Sequence, residues 1–209
     1  METFRNTLGR LLLPTGRLFA AAGIHPHALS IAGIVLGVAA GGAFVGGALW
    51  LGVVLFALSG LADAVDGIVA RHLGLQSAFG GFMDNFCSAY TDSAALSGLI
   101  LANLCTPFWG LTAVLGTFAR LLTFRLDGLV TADEGFALKS RFPHALAGKG
   151  DRIVLVGLGV LLADVNTAVT VIAVSTNLIA AYRTFHLWRA TATTTRAPQV
   201  RVVARGALS

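Results

Sequence analysis

Apolar residues fill stretches of about 20 positions along this chain, and polar or charged residues collect in the short gaps between them. That is the pattern of helices long enough to cross a bilayer core. From Ala28 to Ala62 there is no charged residue, a run too long for one ordinary span, and Gly46-Gly47 divides it. The spacing predicts spans over residues 28–46, 48–72, 80–103, 107–127 and 165–188. Before the last of these, the uncharged run Ile153 to Ala163 covers only about half a membrane thickness. A further span is therefore expected to begin near His144, with Lys149, Asp151 and Arg152 at the headgroup level. Residues 1–23 mix Phe4, Leu8, Leu11 and Phe19 with Arg5, Arg10 and Arg17, as in an amphipathic helix lying on the membrane surface. Pro14 and Gly16 interrupt Leu11-Leu12-Leu13 too soon for a cleaved signal peptide, so this segment is expected to remain on the mature protein. The fold expected is an all-α membrane protein: a surface helix in residues 1–23, six transmembrane helices in residues 24–190, and a mobile basic tail in residues 191–209.

Composition agrees with a membrane location. The 209 residues are 56% hydrophobic and 12% charged, with a mean hydropathy of +0.78, whereas a soluble domain carries about 25% charged residues. The net charge of +5 and pI near 10.0 do not indicate nucleic acid, because the basic residues form no stripe interleaved with aromatics. They mark topology instead. With six spans, all 15 Lys and Arg fall on one side, and the connections around Gly46, Cys105 and Asp164 carry none. The positive-inside rule then sets both termini in the cytoplasm of an inner-type (plasma) membrane. Cys87 and Cys105 lie near opposite ends of one expected span, about 27 Å apart at 1.5 Å per residue, too far for a disulfide.

Asp63, Asp66, Asp84 and Asp92 fall within the expected second and third spans, where an ionised carboxylate is costly enough to be functional by default. Asp63 and Asp66 are three residues apart and share a helix face with the small residues Gly67 and Ala70. Arg71 closes that face at the cytoplasmic end, where it can meet a phosphate oxygen. The turn between Arg71 and Gly80 brings Asp84 to about the same depth, so three carboxylates converge with one basic partner. A hard divalent cation, Mg²⁺ or Mn²⁺ before Ca²⁺, is the natural resolution. On charge alone, these aspartates could instead pair with arginines of neighbouring helices or line a cation pathway.

The order Asp63-x2-Asp66-Gly67-x2-Ala70-Arg71-x8-Gly80-x3-Asp84 resembles the signature of the CDP-alcohol phosphotransferase family. His25-Pro26-His27-Ala28-Leu29-Ser30 is similar to that family's entry to its first span. The resemblance implies a surface helix followed by six spans, in a homodimer, and a reaction in which an alcohol attacks the phosphorus bearing the lipid or alcohol group of a CDP-linked donor and releases CMP. It implies that Asp63, Asp66 and Asp84 ligate metal and that Gly67, Ala70, Arg71 and Gly80 line the CDP site. Asp84 and position 88 would carry the catalysis. Here the chain departs from the pattern, because the signature's fourth aspartate is Ser88, and a hydroxyl is a poor base and a weak ligand. Asp92, two turns past Asp84 and about 12 Å along the axis, does not obviously replace it.

Arg120, Arg125, Lys149 and Arg152 flank membrane ends near the aspartates and are the candidates for holding an anionic acceptor, with positive-inside bias as the plain alternative. The run Gly148-Lys149-Gly150-Asp151-Arg152 resembles the family segment that binds the phosphate of inositol phosphate or glycerol phosphate. The short chain resembles the branch whose donor is CDP-diacylglycerol or a similar CDP-lipid. Three readings follow: a transferase, a weakened relative that binds CDP-lipid or nucleotide without efficient turnover, and a small transporter or channel. The last lacks a detectable inverted repeat.

Overall fold

A computed structural model of the chain describes residues 26–75, 78–134 and 148–194. The expected surface helix of residues 1–23 and the basic tail from residue 195 onward lie outside the described residues. Six α-helices are described: α1 (Pro26–Val45), α2 (Leu49–His72), α3 (Ala78–Leu101), α4 (Pro107–Glu134), α5 (Lys149–Leu161) and α6 (Val165–Thr194). Three of them contain stretches long and apolar enough to cross a membrane: Ala28–Val45, Leu49–Arg71 and Val165–Arg189.

Local chemistry sets the breaks. Between α1 and α2 the chain reverses at Gly47, whose φ of +77° a residue with a side chain rarely adopts. After α2 the same task falls to Gly74, with φ +66°. Asn103, at φ 55°, ends the turn after α3, and Pro107 then supplies a first helical residue whose missing N–H costs nothing. Thr106 donates to Asn166 Oδ1 through both its backbone N–H, at 2.8 Å, and its hydroxyl, at 3.0 Å. That brings the α3–α4 and α5–α6 connections together at one end of the bundle. Asp164 precedes α6 and accepts the Thr167 N–H at 3.1 Å, satisfying an orphan donor of the helix start.

Two of the expected boundaries move. The fifth helix starts at Lys149 after an extended Gly148, not near His144, because Gly148 acts as the cap and its N–H bonds Asp151 Oδ2 at 3.1 Å. Arg152, expected at headgroup level, is 1% exposed, because a carboxylate on α3 holds it inside the bundle. The sixth helix runs on to Thr194, past the boundary read at residue 190.

Helix α1 packs against both α2 and α3, α4 against α6, and α5 bridges α2 and α6. Phe44, Phe56, Leu99, Val156, Val169 and Ile172 form the heart of the apolar core. Outside it the usual distribution is inverted. Ile31, Val35, Leu115 and Leu178 face outward, while Ser59, Thr91, Asp92, Thr117, Arg152 and Thr176 are buried. A bilayer rewards that arrangement, since lipid is the solvent for the outer face and polar side chains find partners only within.

Glycine makes the closest contacts. A Cβ on Gly41 would come within 2.6 Å of the Ala94 carbonyl oxygen, and one on Gly98 would strike the Gly41 backbone. Helices α1 and α3 therefore touch backbone to backbone. Gly98→Ala should separate them and cost about 1–3 kcal/mol, the range for overpacking a tight contact. A lowered melting temperature of the detergent-solubilised protein is the expected readout. Asp164 gives a second prediction. Its hydrogen bonds to Thr167 hold its carboxyl below the ordinary value of 3.8, so its contribution is present at neutral pH and fades as the pH falls through that lowered value. Asp164→Ala should lower the melting temperature at pH 7, and the gap from wild type should shrink in strong acid.

Candidate active site and its charged surroundings

Asp63 and Asp66 project from one face of α2, one turn apart. Asp66 is 4% exposed, and its Oδ2 accepts a 2.6 Å hydrogen bond from the Ser30 hydroxyl on α1. Asp63 Oδ2 accepts from Lys149 Nζ at 2.8 Å, an ion pair that ties the start of α5 to α2. The same amine lies 3.4 Å from the Ser59 carbonyl oxygen. Asp63 Oδ1 is buried with no hydrogen-bond partner, and it lies 3.3 Å from where a Cβ on Gly33 would stand. The bare backbone of α1 leaves room for that oxygen. The Ser88 hydroxyl faces the Asp63 carboxylate without completing an aligned hydrogen bond to Oδ1.

Asp84 is solvent-exposed near the start of α3. Asp63, Asp66 and Asp84 lie within electrostatic reach of one another, and Lys149 and Arg71 act on Asp84 from the opposite sign. The exposed Arg71 folds back over Gly67, its Nη1 lying 3.5 Å from the position of a Cβ there. Gly67, Ala70 and Gly80 are half-buried, so the small-residue face carries the two acids on one side and the arginine at its end.

A second cluster lies deeper, next to the first. Asp92 on α3 is fully buried and 2.5 Å from Arg152 Nη1 on α5. Thr117 on α4 also accepts from Nη1, at 3.3 Å. Arg120 on α4 is influenced by Arg152, Arg183 and Asp92 together, and its Nε is buried without a hydrogen-bond partner. Arg183 on α6 is 7% exposed. Arg120 therefore has two guanidiniums and one carboxylate as electrostatic neighbours. Asp92 acts electrostatically on Asp63, so the acidic and basic groups are neighbours. Desolvating charges on this scale is costly unless each finds an opposite, and guanidiniums grouped at this depth suit an anionic ligand.

The donor set of the first cluster suits a hard divalent cation: Asp63, Asp66 and Asp84 offer only oxygen, and the orphaned Asp63 Oδ1 is a buried acceptor in need of a positive partner. No group of three ligating side chains converges on one point among the described residues. Lys149 supplies the neutralising charge at Asp63.

The site residues expected from sequence thus divide in two. Asp63, Asp66, Gly67, Ala70, Arg71, Gly80, Asp84 and Ser88 collect around the α2–α3 hairpin. Arg120 and Arg152 join the deeper cluster, while Lys149, expected beside them, reaches Asp63 instead. The side chain of Arg125 lies outside the described residues. Sequence reasoning missed Ser30 as a partner of Asp66, although the segment that ends in Ser30 carried part of the family resemblance. It also missed Arg183, counted only as a cytoplasmic charge, and the role of Asp92.

The chain is similar to several known proteins. The sequence model of the family described as CDP-alcohol phosphatidyltransferase matches residues 23–196. An archaetidylinositol phosphate synthase of Pyrococcus horikoshii is 27% identical over 159 residues, 76% of this chain and 81% of the relative. A phosphatidylinositol phosphate synthase of Mycolicibacterium smegmatis is 29% identical over 159 residues, 74% of this chain and 69% of the relative. Among solved structures, the Mycobacterium tuberculosis phosphatidylinositol phosphate synthase with CDP-DAG bound superposes with a TM-score of 0.60 at 21% identity, covering 95% of this chain and 100% of that one. The same enzyme with manganese and citrate gives 0.57 at 22% identity, covering 84% of this chain and 88% of that one. These superpositions establish a shared fold.

The Ser30–Asp66 bond gives a direct test of the site's construction. A hydrogen bond to a charged group is worth about 1.5–3 kcal/mol, so Ser30→Ala should lower thermal stability by a comparable amount. Ser30→Thr, which keeps the hydroxyl, should retain most of it. Equal melting temperatures for Ser30→Ala and wild type would show that the bond is not made.

Proposed function

The chain belongs to the CDP-alcohol phosphatidyltransferase family, and from that premise we infer that it transfers a phosphatidyl-type group from CDP-diacylglycerol or a similar CDP-lipid to a phosphorylated polyol, releasing CMP. The observation that carries this reading is the juxtaposition of an acidic cluster, Asp63, Asp66 and Asp84, with the half-buried Arg120 and the buried Arg152 and Arg183. One cluster suits a pyrophosphate donor through a metal ion. The other suits a phosphate on the acceptor, such as that of inositol phosphate or glycerol phosphate. The relatives named above are inositol phosphate lipid synthases, and a structural neighbour holds CDP-DAG, which supports the same assignment.

Asp63, Asp66 and Asp84 would hold Mg²⁺ or Mn²⁺, which supplies charge neutralisation on the phosphate oxygens and alignment of attacker with leaving group. Gly67, Ala70 and Gly80 let the CDP moiety approach the backbone, and Arg71 meets a phosphate oxygen. The acceptor hydroxyl forms a new bond to the lipid-bearing phosphorus, the bond from that phosphorus to the CMP oxygen breaks, and CMP leaves with the electron pair. The hydroxyl's proton passes to a carboxylate, and Asp84, the exposed member of the three, is the acceptor we assign. All six helices cross the membrane in this reading, with both termini cytoplasmic, and the protein works as a homodimer.

Ser88 supports a second reading, in which binding is intact and turnover is slow. Its hydroxyl faces Asp63, where a carboxylate would add a base and a ligand. Restoring it with Ser88→Asp should raise CMP release, by up to about 10²–10⁴-fold if general-base assistance is what the site lacks. A fast wild type with a slower, less stable variant would sink the missing-base argument.

The function itself is tested by following CMP release from CDP-diacylglycerol with Mg²⁺ or Mn²⁺ and a panel of acceptors. Inositol phosphate or glycerol phosphate should outperform their unphosphorylated forms, and Asp66→Asn should abolish metal-dependent CDP binding. CMP release indifferent to the acceptor's phosphate would overturn the acceptor assignment.

A further inference from the structure

We propose that Asp92 is a positioning residue for the acceptor phosphate: its buried carboxylate fixes the Arg152 guanidinium and holds the arginines of α4, α5 and α6 together as one anion-binding cluster. This rests on the acceptor reading above and deepens it. Asp92 is 0% exposed and Arg152 1% exposed. Apart from Arg152, neither carboxylate oxygen of Asp92 has a hydrogen-bond partner among the described residues. Among the described residues, no helix cap, turn or backbone donor accounts for an acid at this depth. Its charge serves the guanidinium.

Geometry gives the acid its leverage. A guanidinium carries five donors in a rigid plane, so fixing Nη1 between Asp92 at 2.5 Å and Thr117 at 3.3 Å fixes the direction of every other N–H of Arg152. Arg120 is subject to Arg152 and Arg183 as well as to Asp92, so the carboxylate belongs to a group that also holds three like charges. Before an anion arrives, the Asp92 carboxylate offsets the mutual repulsion of the arginines, and removing it strengthens that repulsion. They would splay apart in a medium where charge is poorly screened.

Two opposing effects follow from removing the Asp92 charge, and they can be ranked. The cluster becomes more positive, which strengthens long-range attraction for phosphate. The cluster also loses its preformed geometry, and an oriented, bidentate arginine contact depends on that geometry more than on net charge. Orientation should win. Removing the outer partner of a ligand-binding group typically costs 10–100-fold in metal sites, and a loss of about 10-fold is expected here.

The test measures binding directly, so it does not depend on turnover. Calorimetric affinities for inositol phosphate and glycerol phosphate are determined for the full-length protein in detergent, with CDP plus Mn²⁺ as the control ligand. Asp92→Asn should weaken acceptor binding about 10-fold while the CDP affinity stays within about twofold, a split that a general loss of structure would not give. Asp92→Glu should recover part of the loss. Thr117→Val removes the second holder of Nη1 and should weaken acceptor binding to a smaller extent. If Asp92→Asn does not fold, Thr117→Val decides, and an unchanged acceptor affinity overturns the proposal. Acceptor binding in Asp92→Asn as tight as in wild type, or tighter, overturns it as well. A wild type that binds neither phosphorylated polyol sinks the acceptor reading and this inference together, whereas a wild type that binds, with an insensitive Asp92→Asn, sinks this inference alone.

Discussion

A buried charge in a helical bundle must find its opposite, and the Asp92–Arg152 pair is where this chain meets that requirement most severely. Both side chains are removed from solvent. Neither could stay ionised alone at such depth without a penalty of several kcal/mol. The pair joins α3 to α5 and, through Thr117, to α4. Helix α5, at 13 residues, is the shortest of the six described helices and shorter than an ordinary span, so its place depends more than theirs on such anchors. Once Arg152 is fixed, Lys149 lies one turn earlier on the same face, where its amine reaches Asp63.

The two charge clusters follow from that arrangement. Acids from α2 and α3 open toward the end of the bundle that carries Arg71, and arginines from α4, α5 and α6 lie deeper beside them. In the proposed reaction two anionic substrates meet, with repulsion between them. Separate but adjacent countercharges offset it, and Asp92, within reach of Asp63 as well as Arg152, stands at the boundary. Small residues complete the construction from α1: Gly33 leaves room for the Asp63 carboxylate, and Gly41 lets α3 come close enough for its acids to face α2. A larger residue at either position would act on the site through packing alone.

Ser88 shows how a single position changes the balance. With a hydroxyl there, Asp63 keeps an uncharged neighbour, and Lys149 pairs with its Oδ2. A fourth carboxylate would raise the negative charge further and demand more cation. An aspartate at position 88, as the sequence resemblance implies for the family, would therefore alter the electrostatic load of the site as well as its supply of bases.

The helices were legible in the sequence, because their limits depend on local chemistry: uninterrupted apolar runs, Gly47 and Gly74 at reversals, Pro107 at a start. The shared face of Asp63, Asp66, Gly67 and Ala70 was legible too, since helical periodicity fixes which neighbours point the same way. The start of α5 was misread because a run of apolar residues does not reveal a glycine cap. Partnerships across the bundle were not legible. Ser30 and Asp66 are 36 residues apart, and Asp63 and Lys149 are 86 apart. The alternative that intramembrane aspartates pair with arginines of neighbouring helices describes Asp92, while Asp63 takes a lysine, and no spacing said which base each would take. Local periodicity fixes the face a residue occupies, whereas its partner depends on how each helix is rotated and how deeply it is set against the others. Only the packed tertiary structure decides that, because the cost of burying charge is settled over all the helices at once.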